Sequence, residues 1–231
     1  MLARTITLVF VLTISSNLSW GQISLKEVQM DRIPYVRVQE YLEHHMKLAH
    51  STFLDLEPTL KPLDEVIAYN KQTLKFKIKS KQEEVWQYYS NVSPKEAWNS
   101  NKIGFCLLFS KNTSQLFYSD DPIEKVSIGQ IVLLNLKLLG GIYNAAVGFE
   151  ITSIDPVKQS IEFSYIKGNI SHGKQQLLFQ ETKNGFTEIT HISYFKSGSL
   201  IRDFLFYPFF HKRVTKDFHH NMKSSLMKEG I

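Results

Sequence analysis

From Thr73 the chain alternates. Leu74-Lys-Phe76-Lys-Ile78-Lys puts apolar side chains on one face and a row of lysines on the other. A period of two predicts a half-buried strand with its lysines in water. Ser80-Lys-Gln-Glu83 follows and reads as a capping box, with Val85, Trp86 and Tyr89 as the buried stripe of a short helix. A second start comes at once in Ser93-Pro94-Lys-Glu96, where proline at the first helical position gives up an amide that has no partner there anyway. Ala97 and Trp98 complete that turn. From there to Lys196 the apolar segments are strand-like, at 105–110, 115–118, 130–138, 143–154, 161–166, 174–181 and 186–196. Asn184-Gly185 is the clearest hairpin turn, since both residues tolerate positive φ. The short connections predict an antiparallel meander.

Ser197-Gly-Ser199 then opens a long helical segment. Phe204, Tyr207, His211, Val214, Phe218 and Met222 recur at steps of three and four, and Leu200 and Leu226 extend that stripe. Lys212, Arg213, Lys216, Asp217 and Lys223 mark the wet side. Pro208 lies inside the run and predicts a kink or a restart, because it removes a backbone donor.

Ahead of the first strand, residues 22–71 read as a partly helical extension. Pro34 starts a helix, and Tyr35, Val38, Leu42, His45 or Met46, and Ala49 keep helical spacing as far as Thr52; Pro58 and Pro62 then break the chain. Residues 1–21 read as a secretory signal: Arg4, an apolar stretch from Thr5 to Ile14, and small residues at Ser19 and Gly21 before the cut. That stretch is too short for a bilayer, which takes roughly 20 apolar residues. The expected organisation is a signal at 1–21, an extension at 22–71 and a main domain at 72–231. The expected location is exported: periplasmic or extracellular, or the secretory pathway in a eukaryotic host. No stable membrane span is expected after cleavage.

Composition narrows the class. With 43% hydrophobic and 13% aromatic residues the chain can build a core, which excludes disorder as its main state. One cysteine, Cys106, excludes a disulfide scaffold. The net charge of +5 is mild, and the lysines alternate with core positions as solvated faces, so nucleic acid is not an expected partner.

The order of strand, two short helices, antiparallel meander and long terminal helix resembles the helix-grip fold of the START/Bet v 1-like (SRPBCC) superfamily. The local motifs agree. Lys77-Ile78-Lys-Ser80-Lys-Gln-Glu-Glu-Val85-Trp86 looks like the superfamily's opening, and Trp98 stands where the second short helix often carries a tryptophan. Val126-Ser-Ile-Gly129-Gln looks like the turn before the third strand. The segment from Leu205 to Leu226, with Pro208 and its basic residues, is similar to the terminal helix of the polyketide cyclase/dehydratase-like branch. Phe163-Ser-Tyr-Ile-Lys-Gly168-Asn-Ile-Ser-His172-Gly173 also looks like a branch built on a domain of unknown function. The resemblance covers about residues 72–228. It implies an α+β fold with a curved antiparallel sheet around a long C-terminal helix. It also implies a cavity between them for a hydrophobic small molecule or a lipid.

Candidate lining residues are Trp98, Phe105, Leu107, Phe109, Leu133, Val147, Phe149, Phe163, Tyr165 and Phe195, faced by Phe204, Tyr207, His211 and Val214 from the helix. A filled core would use the same residue types. His211 within the apolar stripe, and His191 on the strand face of Ile189 and Phe195, are candidates to share one pocket. The alternative to binding is therefore acid/base catalysis of the cyclase, dehydratase or hydrolase kind. The superfamily has no single catalytic motif, and a non-catalytic interaction module is a third reading, with the extension over the cavity mouth or on a partner. The histidines show no metal-ligand spacing: neighbours in His44-His45 and His219-His220 point apart on a helix. Asp120-Asp121-Pro122 reads as a turn, Glu150 as a strand residue facing water, and Gly140-Gly141 as a hairpin turn without a phosphate loop's Lys-Ser/Thr. No cofactor is expected.

Overall fold

The structure, a computed structural model, describes residues 23–48, 50–228 and 230; the signal read at 1–21 lies outside the described residues. Eight strands among them form one antiparallel sheet in the order β1-β8-β7-β6-β5-β4-β2-β3. They are β1 (Asn70–Ile78), β2 (Ile103–Ser110), β3 (Gln115–Tyr118), β4 (Gln130–Leu138), β5 (Tyr143–Asp155), β6 (Ser160–Tyr165), β7 (His172–Glu181) and β8 (Thr187–Lys196). The helices are α1 (Val36–Lys47), α2 (Gln82–Asn91), α3 (Pro94–Ala97) and α4 (Tyr207–Lys228).

The expected meander runs from β4 to β8, and β1 closes against β8 with Leu74 opposite His191. It breaks at the β2–β3 hairpin. The chain returns to pair β4 with the other edge of β2, which leaves β3 at the sheet margin. With four residues, of which Tyr118 alone is buried, β3 has too little apolar surface for an interior position. The Asn184-Gly185 turn also differs. Gly185 alone takes positive φ (71°), inside a five-residue loop closed by Thr182 N–H on the Phe186 carbonyl and Gly185 N–H on the Thr182 carbonyl.

Two helix boundaries moved for identifiable reasons. Helix α1 ends at Lys47, because Asp55 draws the Ser51 and Thr52 amides into the next turn. Helix α2 begins one residue later than its motif. Thr187 Oγ1 holds the Ser80 carbonyl to the sheet at 2.7 Å, and it is Glu84, not Glu83, that accepts the capping N–H, from Lys81. Helix α3 keeps its expected cap, Ser93 Oγ accepting from Glu96 N–H. Ahead of α4, Arg202–Phe206 forms a π-helical turn, where the loss of a donor at Pro208 is absorbed.

Two cores lie on the two faces of the sheet. The inner one packs Trp98, Phe149, Phe163 and Phe179 against Phe218, Met222 and Leu226 of α4. The outer one packs Leu25, Val38, Leu42 and Phe53 of the extension against Leu107, Phe109, Ile131 and Leu133. A strand with both faces covered reads as a continuous apolar run, and every residue of β2 is buried. A β-bulge divides its side chains: register shifts between Phe105 and Leu107, so Phe105 and Leu108 join the inner core while Cys106, Leu107 and Phe109 join the outer one. The extension sits close because glycines make room. A Cβ on Gly104 would stand 2.6 Å from the Tyr35 ring, and one on Gly148 would stand 2.8 Å from the Tyr41 hydroxyl.

Two acids expected in water are not there. Glu150 lies opposite Ile131 on the outer face, nearly buried, with Lys111 Nζ at 2.7 Å. Asp217 accepts the Lys102 N–H at 2.8 Å and the Ser100 hydroxyl, which fastens α4 to the chain before β2. Asp120 and Asp121 do form a turn, and both accept from Arg32 of the extension.

Candidate functional site

Between the inner face of the sheet and α4 lies a cavity of about 880 Å³. Its body is apolar. Trp98 packs against Phe149 and Phe218 with ring centroids 5.0 and 5.6 Å away, and Phe149 meets Phe163 at 5.0 Å. Val147, Leu134 and Val214 continue this lining.

One wall is polar, and Gln175 of β7 stands at its centre. Its Oε1 lies 2.7 Å from His191 Nε2 and 3.0 Å from His211 Nε2, and its Nε2 donates to the Tyr165 hydroxyl at 2.9 Å. The Tyr165 and Tyr207 hydroxyls are 2.6 Å apart. Behind the wall His191 Nδ1 meets His219 Nε2 at 3.0 Å, and His219 Nδ1 meets the Tyr89 hydroxyl at 3.1 Å.

The partners set the tautomers. An amide oxygen only accepts, so the facing Nε2 atoms of His191 and His211 carry hydrogens. His191 Nδ1 then accepts from His219 Nε2–H, and His219 Nδ1 accepts from Tyr89. His211 differs, because its Nδ1 faces a second amide oxygen, Gln72 Oε1, at 2.8 Å. A neutral ring donates to one of these oxygens and a second proton satisfies both; the Gln72 amide is held in this sense by its N–H on the Pro208 carbonyl at 3.0 Å. Burial opposes that proton. It lowers the pKa of His211 to about 4 and that of His219 to about 3, and it holds His191 well below the usual histidine range, with the neighbouring histidines acting in the same sense. Burial also pushes Tyr165 up to about 12. The wall is therefore uncharged at neutral pH.

Sheet pairing creates an opening. Residues 143–147 of β5 pair with β4 alone, since β6 joins β5 only from Phe149 onward. Arg37, Glu40, Tyr41 and His44 of α1 line the cavity, as do Ser171 and Arg202. Arg202 is held by the Ile170 carbonyl at 2.9 Å and the Ser171 hydroxyl at 2.8 Å. Among the described residues the Tyr41 hydroxyl is buried without a close hydrogen-bond partner, with the Asn169 side chain near it.

Of the predicted residues, Trp98, Val147, Phe149, Phe163, Tyr165, His191, Tyr207, His211 and Val214 line this one cavity. Others lie elsewhere. Leu107, Phe109 and Leu133 face the extension, because the β2 bulge and the covered outer face turn them away. Phe105 belongs to the inner core without reaching the cavity. Phe195 sits beneath the wall, stacked on the Tyr207 ring at 3.9 Å. Phe204 is 76% exposed and Leu200 80% exposed. The π turn shifts the phase of the helix, so buried Asp203 takes the inward place and accepts the Ser197 N–H at 2.8 Å.

The sequence reading missed Gln175, His219, Thr215 and Gln72. Their signals exist. Tyr207, His211, Thr215 and His219 recur every four residues along α4; Gln175 shares a strand face with Leu177 and Phe179, and Gln72 one with Leu74 and Phe76. Among the described residues no group of histidine, cysteine or acid is placed to hold a metal ion, and the direct His191–His219 hydrogen bond leaves no room between those two rings.

No protein-family model matches the chain, and no curated protein matches it. Solved structures do. A protein of Thermus thermophilus aligns with a TM-score of 0.50 at 8% identity, over 70% of this chain and 100% of its own. Ginseng major latex-like protein 151 of Panax ginseng aligns at 0.47 and 19% identity, over 66% and 97%. A conserved protein of Geobacillus kaustophilus aligns at 0.47 and 13%, over 69% and 96%. At 8% identity the Thermus likeness is one of fold alone, and the curved antiparallel sheet with α4 against its inner face is the α+β helix grip.

Proposed function

We propose that this chain is an exported binding protein for an apolar molecule, a lipid or a polycyclic compound, that carries one neutral hydrogen-bonding group. The observation behind this reading is the cavity of about 880 Å³ with aromatic walls and a single uncharged polar wall built on Gln175, Tyr165, Tyr207 and His211. A volume of this order suits a small ligand, since such sites run from roughly 300 to 1,000 Å³. Charge selects the ligand's buried end. A carboxylate in that wall would lack a cationic partner and lose its hydration, whereas a hydroxyl or carbonyl exchanges one set of hydrogen bonds for another. Arg37 and Arg202 stand at the opening, where a charged end would rest.

His211 and His191 serve in this reading as hydrogen-bonding groups. A histidine with a pKa of about 4 is a weak base, and both nitrogens of His211 already face partners. Catalysis is the less favoured reading. Export rests on the signal read at 1–21.

The test is extraction of the purified protein followed by mass spectrometry, with titration of two fluorescent probes: dehydroergosterol, with its lone hydroxyl, and parinaric acid, a carboxylate. A co-purifying apolar molecule and tighter binding of the sterol are expected. Val147→Trp, which sets a bulky ring into the cavity, is expected to weaken probe binding, with circular dichroism to check that the fold is kept. No extracted molecule and no probe binding would overturn the proposal.

A further inference from the structure

The segment that leads into α4 carries its large apolar side chains outward. Leu200, Ile201, Phe204, Leu205, Phe206 and Phe209 are each 48% exposed or more. Asp203 and Tyr207 are the buried residues of that stretch, Asp203 turned inward as a cap and Tyr207 into the cavity wall. Two neighbouring segments add to the same surface. Ile142 and Tyr143, at the β4–β5 turn, and Ile170, whose carbonyl holds Arg202, are also more than half exposed. Tyr143, Ile170, Ile201 and Phe206 line the cavity described above, so the apolar surface is the rim of its opening. A contiguous patch of this kind on a monomer marks an interaction surface.

Charge identifies the partner. Lys137, Lys196, Arg202, Lys212, Arg213 and Lys216 lie on the segments that carry or flank the patch, and the acid among residues 196–216 is the buried Asp203; across the opening Glu40 of α1 is paired with Arg37 at 2.8 Å. The Arg213 guanidinium lies over the Phe209 ring at 3.9 Å, which sets a cation directly beside the apolar surface. A second copy of the chain is a poor partner, because a two-fold contact apposes a patch to itself and would bring these cations together. An anionic lipid surface complements both properties: its acyl boundary takes Phe204, Leu205 and Phe209, and its headgroups take the cations.

We propose that this rim docks on an anionic lipid bilayer, with the cavity opening turned toward the lipid. Docking stands independently of which molecule fills the cavity. In that posture an apolar ligand passes between membrane and cavity without crossing water. The aromatic side chains enter the acyl boundary and the outer face of the sheet remains in solvent, with Arg37 and Glu40 of α1 at the edge of the opening.

The experiment is sedimentation of the full-chain protein with vesicles of phosphatidylcholine alone or with phosphatidylglycerol. Binding to the anionic vesicles and little to the neutral ones is expected, with the difference shrinking at about 0.5 M salt. Phe204→Ser/Leu205→Ser/Phe209→Ser, at exposed positions, should weaken binding about tenfold or more, while Leu63→Ser, at an exposed site in another segment, should not. A Phe204→Trp variant should be quenched by brominated lipid. Equal binding by the triple variant, no preference for anionic vesicles, or a solution dimer that the triple variant dissolves would each overturn docking. Dehydroergosterol binding by the unaltered chain separates the two proposals: a rim without lipid affinity and a cavity that still fills would sink docking alone.

Discussion

The hydroxyls of Tyr165 and Tyr207 meet at 2.6 Å and join β6 to α4 at the polar wall of the cavity. Tyr207 is also clamped between the Phe195 and His211 rings, at 3.9 and 4.9 Å, with both pairs nearly parallel. Tyr207→Phe keeps this stack and removes one hydrogen bond, while Tyr165 retains the Gln175 amide. Stability should fall by about 1 kcal/mol in urea unfolding. Dehydroergosterol should bind about tenfold more weakly, the loss expected for one buried hydrogen bond.

Histidines drawn out of water, His45 and His219 fully and His211 in part, make the fold sensitive to acid. Their unfolded forms titrate at the ordinary histidine pKa of about 6.5, whereas His211 and His45 do so at about 4 and His219 at about 3 in the fold. Above the unfolded value both states are neutral and pH has no effect through these groups. Below it the unfolded chain binds protons that the fold refuses, and stability falls by up to about 1.4 kcal/mol per pH unit for each histidine. The loss levels off below about pH 4 for His211 and His45, and continues to about pH 3 for His219. Urea unfolding at steps from about pH 7 to about pH 4 should show a steep decline. A flat profile would contradict burial of these rings.

The extension covers the outer face of the sheet, so its removal should leave Leu107, Phe109, Ile131 and Leu133 in water. A chain lacking residues 23–60 is expected to aggregate. A gentler test is Gly148→Ala, whose methyl would stand 2.7 Å from Leu133 Cδ2 and 2.8 Å from the Tyr41 hydroxyl. It should cost about 1–3 kcal/mol. Adding Tyr41→Phe, which removes the hydroxyl, should recover part of that loss.

Processing at the read signal predicts a mature chain beginning at Gln22. The intact mass of protein recovered from an exporting host checks it; a chain that retains Arg4 would contradict cleavage.

The fold was legible wherever a local rule and the tertiary packing agreed. The alternation from Leu74 to Ile78 marks β1, and Ser93-Pro94 starts α3, because the strand's face and the helix's cap are decided within a few residues. The site was legible in part. Trp98, Phe149 and Phe163 follow simple strand or helix parity into the cavity. Phe109 and Leu133 do not, because their side of the sheet is covered by residues far earlier in the chain, and apolar pattern cannot tell one buried face from the other. Phe204 was lost to the π turn, an extra residue in the helical phase that Pro208 announces without fixing its place. Gln175 and His219 are polar, and a search for apolar stripes passes over them although both hold the cavity wall together.

The pairing of β1 with β8, from Asn70 opposite Phe195 to Ile78 opposite Thr187, joins the first strand of the sheet to the last. A growing chain has no partner for β1 until β8, which begins at Thr187, has emerged, and α4 follows later still. Contacts this distant along the sequence slow folding, since loop closure precedes the interactions that reward it. Leu74, Phe76 and Ile78 consequently stay a naked strand edge through most of synthesis, the kind of edge on which chains associate. The lysines between them, Lys75 and Lys77, discourage that association while the chain waits.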